Sequence, residues 1–404
     1  MSIYIYKARD ASGKKVTGSM EAATKTELID KLQKMGYLTT AVEEETAGLH
    51  IGSFLERFKW ISTENMLMFY IQLANMINAG VVILMSLTTL SKQTENKILR
   101  DAIGSVTRQV EAGNSLSQAF AARPDIFNRL FINMVRAGEA SGHIDTVLMR
   151  YAGFFERQED LNQKVKGALF YPVILLIAGI AVMLFIITFV IPQFAQIYLK
   201  AGVKLPGPTV IVYNLGMIFK HFWYVLFLAA AGILTAVNLY ARTEKGRLSL
   251  DSLKLKLPVI GPLYRKVAIA RFARTLSTLL GSGVPILESL DVTKEVAGNE
   301  VLRRVIINAQ KYVEKGERMS EPLKVSGEFP PDVVQMVLVG EETGNVDGML
   351  AKIADFYDTA VNYTIKKLTT VIEPFFLIVM GCMIGFIMAS MLMPIFDMLK
   401  TMKH

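Results

Sequence analysis

The sequence predicts an all-α membrane protein with two repeated cytoplasmic antiparallel helix-bundle domains, three transmembrane helices and a small N-terminal α+β segment. Three observations predict this fold class: a long motif pattern occurs twice, apolar residues recur at helical spacing, and three apolar runs are long enough to cross a bilayer. In each copy of the pattern, a soluble part precedes an apolar run. We therefore expect one duplicated unit rather than two unrelated domains.

The repeated pattern is organised around a Gly-Glu motif. The first copy, residues 138–145, reads Gly-Glu-Ala-Ser-Gly-His-Ile-Asp, and the second copy, residues 340–347, reads Gly-Glu-Glu-Thr-Gly-Asn-Val-Asp. Upstream, Ala-Gly-Val at 79–81 matches Ser-Gly-Val at 282–284. The matches downstream of the motif pair Lys164 with Lys366, Pro172 with Pro374, and Pro192 with Pro394. A register of this length indicates an internal duplication.

Composition is typical of a membrane protein. Of the 404 residues, 52% are hydrophobic, and the mean hydropathy is +0.36. We expect the net charge of +8 to set membrane topology through basic cytoplasmic segments rather than to bind nucleic acid. Residues 1–10 lack the apolar core of a signal peptide, so we expect an N-terminus that is not cleaved and stays in the cytoplasm.

Residues 1–45 are predicted to form the small α+β segment, with two antiparallel strands, a helix and a third strand. Thr24-Lys-Thr-Glu27 has the sequence of a capping box, and Gly36 is the expected helix stop. Because this segment has few apolar residues, its core is expected to be only marginally stable. We therefore expect the segment to dock on another domain or protein. Residues 46–62 are a predicted linker, which fits either an amphipathic helix on the membrane surface or an ordinary helix packed on the next domain.

The two helical domains are predicted at residues 63–167 and 263–367, where no segment shows strand alternation. The other predicted segments are a first transmembrane helix at 168–192, a periplasmic or external loop at 193–208, a second transmembrane helix at 209–241, a basic cytoplasmic linker at 242–262, a third transmembrane helix at 371–396 and an external tail at 397–404. Lys220-His221 interrupts the second apolar run, so the stretch before it is either part of the span or an interfacial piece.

Candidate functional residues lie in the Gly-Glu motifs rather than in a catalytic motif. The sequence has no P-loop, no His-Glu-x-x-His and no Gly-x-Ser-x-Gly, so we expect a protein that is not an enzyme, with no catalytic, cofactor-binding or metal-binding residue. The glycines are expected to bracket a turn between two helices. The glutamate either bonds backbone N–H groups there or presents an acidic contact to a basic partner. The candidates for partner coupling are Gly138, Glu139, Gly142, Gly340, Glu341 and Gly344.

Three further candidates lie where the chain is expected to enter the membrane. Pro172 and Pro374 fall one turn inside their spans, where proline commonly kinks a helix and is tolerated. Glu373 is an ionisable residue at the mouth of the third span, and such a residue is a functional candidate by default. The alternative is that Glu373 is solvated or paired with Lys366 or Lys367.

In combination, these motifs resemble the PilC/GspF-type platform proteins of type IV pilus and type II secretion machines. The resemblance rests on Tyr4-x-Tyr-x-Ala-x-Asp-x-x-Gly13, the two Gly-Glu motifs, the Tyr-Pro and Glu-Pro pairs at 171–172 and 373–374, and the terminal Pro-x-Phe. It covers nearly the whole chain. It implies a multi-pass protein of the bacterial inner membrane that couples a hexameric cytoplasmic assembly ATPase to the extraction and polymerisation of pilin subunits.

The resemblance also implies the partners. They are the ATPase, pilin or pseudopilin subunits, other inner-membrane assembly proteins, membrane lipid and further copies of the chain in a dimer or higher oligomer, with no nucleic acid. The alternative function is a transporter or channel with duplicated halves, although the repeats carry more soluble than membrane residues. A membrane scaffold unrelated to filaments is the third possibility.

Overall fold

The computed structural model describes residues 2–9, 15–22, 25–44, 61–200, 207–258 and 260–401. The chain divides into two units, Met1–Ile61 and Ser62–His404. The predicted linker at 46–62 lies outside the described residues except for its last two positions, and residues 201–206 of the predicted loop also lie outside them.

The first unit has the predicted α+β composition. Its elements are β1 (Ser2–Arg9), β2 (Lys15–Ala22), α1 (Lys25–Lys34) and β3 (Leu38–Glu44). Among the described residues the strands form an antiparallel sheet in the order β2-β1-β3, with an irregularity between Lys7 and Ala8. Leu28 and Leu32 on α1 are fully buried with Ala22 in a small core. The predicted capping residue Thr24 lies outside the described residues.

The first bundle is helical, as the spacing of its apolar residues predicts. Its helices are α2 (Thr63–Asn78), α3 (Ile83–Gln93), α4 (Lys97–Glu111), α5 (Leu116–Ala121), α6 (Arg129–Ser141) and the long α7 (Ile144–Phe185). Four of them start at a side chain that accepts a hydrogen bond from a backbone N–H of the first turn. The capping residues are Ser62, Asn96, Ser115 and Asn128. Aromatic rings fill the core, and those in mutual contact include Phe69, Tyr70, Phe120, Phe127, Phe131 and Tyr151.

Helix α7 continues past the bundle through a π-helical turn, Ile186–Val190, into α8 (Ile191–Lys200). Within this turn the Ile191 N–H donates to the carbonyl oxygen of Ile186, five residues back. The wider turn directly precedes Pro192, which has no N–H to donate and whose ring would clash with a carbonyl one α-helical turn back. Residues 193–200, predicted as the start of an external loop, are therefore helical.

Helix α9 (Gly207–Arg242) contains the second apolar run. Its backbone departs from helical geometry at Phe222, with φ −115° and ψ 17°, directly after Lys220-His221. The polar interruption noted in the sequence is thus a kink, and the residues on both sides of it belong to one kinked helix. Within the described residues, three helical stretches are long and apolar enough to cross a membrane: Ile144–Gln196, Val210–Arg242 and Val346–Ala389.

The second bundle repeats the first after an additional helix. Its elements are α10 (Glu244–Lys256), α11 (Ile260–Gly281), α12 (Ile286–Val296), α13 (Glu300–Glu314), α14 (Ser320–Ser326), α15 (Pro331–Thr343) and α16 (Val346–Thr401). Helices α11 to α16 correspond in order to α2 to α7. Helix α16 extends five residues beyond the predicted end of the third span at 396, into the predicted tail.

The predicted basic linker is mostly helix α10, and this helix is docked on the second bundle. Asp251 is buried, and its carboxylate accepts a hydrogen bond of 2.9 Å from the backbone N–H of Glu300, the first residue of α13. Asn299 donates in return to the Asp251 carbonyl oxygen at 3.3 Å. Because the N-terminus of a helix attracts negative charge, Asp251 fixes α10 to the bundle.

The three membrane-capable helices pack together through small residues. A Cβ atom at Gly216 of α9 would lie 2.3 Å from the carbonyl oxygen of Ile187 in the π-helical turn. A Cβ atom at Gly179 of α7 would lie 2.8 Å from the ring of Phe376 on α16. Glycine lets backbones approach this closely, which is a common packing mode of helices in lipid.

This packing predicts different outcomes for two glycines of α9. Gly216→Ala should lower the free energy of unfolding by roughly 1–3 kcal/mol, because the methyl group meets a backbone oxygen that has little room to move. Gly232→Ala should be neutral or slightly stabilising, because no described atom lies within 4 Å of its Cβ position. Thermal unfolding of the detergent-solubilised protein compares the two. Equal stability of both variants would contradict the packing described.

Candidate functional site

Most residues of the Gly-Glu motif lie in helices rather than in a turn. Gly138 and Glu139 lie in the last turn of α6, and Gly340 and Glu341 lie at the same place in α15. The turn itself is made by the later glycine of each copy. The prediction that the glycines bracket a turn was therefore wrong for Gly138 and Gly340.

The two glycines of each motif have different roles. Gly142 ends α6 in the left-handed conformation with φ 75°, which favours a residue without Cβ. Gly138 has helical geometry, but a Cβ there would lie 3.2 Å from the Cα of Ile144 and from the Cβ of Val147. Gly138 thus permits a close crossing of α6 and α7. Gly344, with φ 72°, and Gly340 repeat these roles in the second copy.

The Glu139 carboxylate caps the short helix α5. One oxygen accepts from the backbone N–H of Leu116 at 2.5 Å, and the other accepts from the backbone N–H of Ser117 at 3.2 Å and from its hydroxyl group. Leu116 and Ser117 are the first two residues of α5. A carboxylate is stabilised here by orphan N–H donors and by the helix dipole.

Glu341 makes the same contacts in the second repeat. Its carboxylate accepts from the backbone N–H of Met319 at 2.6 Å, from the backbone N–H of Ser320 at 3.4 Å and from the Ser320 hydroxyl at 2.6 Å. Ser320 begins α14, whose own preceding residue supplies no side-chain cap. Each glutamate thus uses both oxygens inside its own repeat, which is the structural alternative for this motif. Contact of the motif with a partner stays a prediction.

The first Gly-Glu motif also lies at the contact between the two repeats. Ala137, Ala140 and Ser141 line a cavity of about 400 Å³ whose opposite wall includes residues 282–284, the Ser-Gly-Val motif of the second repeat. The structure therefore brings together two motifs that are far apart in the sequence. The second Gly-Glu motif reaches the same contact between repeats at its last residue, since Asp347 lines a cavity together with Arg150 and Gly153 of the first repeat.

Ion pairs hold the two repeats together beside this cavity. Arg129 of α6 contacts Asp291 at 2.9 Å and Glu295 at 2.6 Å, both on α12. Arg136, two turns later, contacts Glu288 at 3.5 Å. Sequence reasoning missed these pairs. The available signal was the spacing, since the two arginines and the three acids each lie on one face of their helix.

Further contacts join the long helices of the two repeats. Arg271 of α11 donates to the Asn162 side-chain oxygen on α7 at 2.6 Å. Burial lowers the pKa of Arg271 from its usual value. Arg274 is held in its own repeat by Asp355 at 2.6 Å and Asp358 at 2.7 Å on α16. The contact between repeats is thus polar at α6 and α12 and mixed along α7.

The three candidates at the expected membrane boundary, Pro172, Glu373 and Pro374, lie within the long helices α7 and α16. Helix α7 runs through Pro172 and α16 runs through Pro374 without interruption. Glu373 is exposed on α16 and no ion pair joins it to a described residue, which fits the solvated form of the alternative given for it; its functional role stays a prediction. Across the described residues, no group of three or more His, Cys, Asp or Glu side chains is arranged to hold a metal ion.

The capping geometry predicts the effect of Glu139→Ala. The variant should lose about 1–2 kcal/mol of stability, because two N–H groups at the start of α5 lose their acceptor. Hydrogen exchange of the Leu116 and Ser117 amides should accelerate. Glu156→Ala on α7 is the matched control, since Glu156 is exposed and makes no hydrogen bond or ion pair with a described residue. Equal exchange in both variants would rule out the cap.

The contact between repeats predicts a pH dependence. A hydrogen bond from Lys294 and the nearby Arg129 guanidinium hold the pKa of Asp291 below its usual value of 3.8. A carboxyl group whose pKa is lower in the folded state stabilises above the unfolded pKa, and this contribution disappears as the pH falls through the folded pKa. The wild type should therefore have a higher Tm than Asp291→Asn at pH 7. The difference in Tm should begin to narrow only when the pH falls below about 3.8, and it should keep narrowing as the carboxyl group of folded Asp291 is protonated. A difference in Tm that narrows already between pH 7 and about pH 5, or that does not narrow at all on further acidification, would contradict the assignment.

Sequence comparison places these features among known proteins. Residues 69–192 and 272–394 match the family described as Type II secretion system (T2SS), protein F, and residues 1–43 match Type II secretion system protein F, N-terminal domain. The two matched segments correspond to the two repeats. Each segment begins inside the first helix of its bundle, α2 or α11, and ends in or close to the following membrane-capable helix.

Relatives with these features include proteins of two machines. The chain is 38% identical to the Type IV pilus assembly protein PilC of Thermus thermophilus, over 100% of this chain and 99% of the relative. It is 35% identical to the protein of the same name from Myxococcus xanthus, over 98% and 94%. It is also 35% identical to the Type II secretion system protein F of Xanthomonas campestris pv. campestris, over 98% and 99%.

Proposed function

This chain belongs to the type II secretion system protein F family, and we propose that it is the inner-membrane platform of a type IV pilus or type II secretion machine. In this proposal it couples a hexameric cytoplasmic ATPase to the extraction and polymerisation of pilin or pseudopilin subunits. The chain contributes mechanical coupling rather than catalysis. Both helix bundles and the N-terminus lie in the cytoplasm, where basic residues flank the spans.

The observation that carries the proposal is the continuity of two helices from bundle to membrane. Helix α7 has 42 residues and α16 has 56, and each belongs to a soluble bundle at its N-terminal end and to a membrane-capable stretch further on. At a rise of about 1.5 Å per residue, such a helix links a bundle to the bilayer without a flexible joint. A rotation of the bundle would therefore reach the membrane directly.

The Gly-Glu motifs fit this mechanism as coupling elements. Glu139 ties the start of α5 to α6, one turn before the chain enters α7, and Glu341 does the same for α14, α15 and α16. A partner that displaces either short helix would act on the long helix next to it. We propose that the motif residues couple the motor in this indirect way, within an oligomer that also contacts pilin subunits and other inner-membrane assembly proteins.

Gly167 provides a test of the coupling. It lies within α7 near the membrane boundary, and no described atom approaches its Cβ position within 4 Å. Gly167→Pro should break the helix, because proline in a helix interior removes a hydrogen bond and clashes with the preceding turn. Gly167→Ala, the matched control, should preserve it.

The measurement is complementation of a deletion strain, with electron microscopy of surface filaments and a profile of secreted proteins. We expect Gly167→Ala to restore whichever output the deletion removes. Gly167→Pro should fail to restore it while reaching the membrane in normal amount. Full rescue by Gly167→Pro would contradict helix-borne coupling. A deletion strain without a defect in either output, after exclusion of a paralogue, would contradict the platform role itself.

A further inference from the structure

The two repeats contact each other through different faces. The first repeat contributes α6 and α7, and the second contributes α11, α12 and one side of α16. The ion pairs of Arg129 and Arg136, the Arg271–Asn162 bond and the packing of Leu161 on Val361 show this. A contact between unlike faces of similar units is heterologous, and it leaves one unused face at each end. The unused faces here are α15 and the exposed side of α16, which carries Phe356 and Tyr363, in the second repeat, and α2 and α3 in the first.

The unused face of the second repeat is a copy of one that the first repeat buries. Phe154 and Leu161 of α7 are 5% and 6% exposed. Phe154 lines a small pocket together with Ala270 and Arg271 of the second repeat. Gly138 aligns with Gly340, so the counterparts of Phe154 and Leu161 on α16 are Phe356 and Tyr363. Their side chains are 61% and 70% exposed.

The unused face of the first repeat is also apolar. Gly80 aligns with Gly283, so the counterparts of Arg271 and Glu288 are Met68 on α2 and Met85 on α3. Met68 is 50% exposed and Met85 is 65% exposed. Val82, between the two helices, is 69% exposed as well. Exposed apolar side chains clustered on a soluble surface mark an interaction site.

The two unused faces carry apolar residues at two pairs of positions where the contact within the chain includes an arginine. Inside the chain, Arg136 pairs with Glu288 across the contact. Their counterparts are Leu338 and Met85, so the same arrangement between two chains replaces an ion pair with an apolar pair. Likewise Arg271, which lines one pocket with Phe154 inside the chain, has Met68 as its counterpart, and Phe154 has Phe356. In these two pairs both members are apolar, whereas the counterparts of Arg129 and of its partners Asp291 and Glu295 are Pro331, Thr88 and Lys92.

We propose that the face of Leu338, Phe356 and Tyr363 docks on the face of Met68, Val82 and Met85 of a second copy of this chain. The contact repeats, between chains, the arrangement that joins the two repeats within one chain. Successive copies then add in the same direction, and a closed ring results if the rotation between copies divides a full turn. The proposal names the surface of the oligomer assumed in the proposed function and rests on that function only for its setting.

Site-directed crosslinking tests the pairing of the two faces. Cys382 is the single cysteine of the sequence, so Cys382→Ser gives a thiol-free background. Phe356→Cys and Met68→Cys are placed on two chains with different tags, reconstituted together in vesicles of phosphatidylethanolamine and phosphatidylglycerol, and treated with a short bismaleimide. We expect a crosslinked dimer that carries both tags. The positive control is Phe154→Cys with Arg271→Cys in one chain, which should crosslink within the monomer.

Each alternative outcome overturns the proposal in its own way. A functioning control without a dimer carrying both tags would exclude the contact. Efficient crosslinking of Phe356→Cys with itself would indicate a symmetric dimer through like faces. Protection of the thiol at position 356 by vesicles at every protein density would assign this face to lipid. Intact filament or secretion output alongside any of these results would reject the surface and leave the platform role standing.

A second measurement does not depend on crosslinking. Phe356→Asp should weaken self-association of the full chain at least about tenfold, the factor expected for one large apolar side chain at the centre of an interface. Val325→Asp on α14, where Val325 is 81% exposed and outside both faces, is the matched control and should have no effect. Circular dichroism checks that both variants fold, and Tyr363→Ser replaces Phe356→Asp if it does not. Unchanged association in a folded face variant would contradict the proposal.

Discussion

The direction in which each long helix leaves its bundle depends on one close helix crossing, at Gly138 in the first repeat and at Gly340 in the second. At both positions an added Cβ would lie within about 3.2 Å of backbone or Cβ atoms at the start of the long helix. The glutamate beside each glycine holds the adjacent short helix through its N-terminal N–H groups. A small residue and a carboxylate, adjacent in sequence, thus fix three helices at once, and one of the three continues into the membrane.

Duplication has not produced two equivalent halves. The first repeat carries its long helix through a π-helical turn into the short helix α8, whereas the second ends in one helix of 56 residues. The first bundle has an aromatic core, and the second is mainly aliphatic. Residues that share a position in the two repeats are buried in one and exposed in the other. This difference reflects the heterologous contact, in which each repeat contributes a different face.

The sequence predicted the fold class because duplicated motifs and apolar runs survive without knowledge of tertiary contacts. It could not assign the glycines of the Gly-Glu motif, since Gly138 and Gly142 look alike in sequence and only the backbone shows that one permits a crossing and the other a left-handed turn. The acceptor role of Glu139 was one of two alternatives, and the donors, 22 and 23 residues upstream, had no local signal. The Arg129 and Arg136 pairs were missed because their partners lie more than 150 residues away, and helical spacing shows a shared face without naming what it meets.

Thr243 connects helix α9, the second membrane-capable helix, to helix α10. Helix α9 ends at Arg242 and α10 begins at Glu244, so the single residue Thr243 joins them, and its hydroxyl accepts from the Gly246 N–H at 3.1 Å. Helix α10 is in turn fastened to α13 by Asp251. The C-terminal end of the second membrane-capable helix is therefore attached to the second bundle through α10, without a flexible linker. We expect a tilt of that bundle to tilt this helix as well.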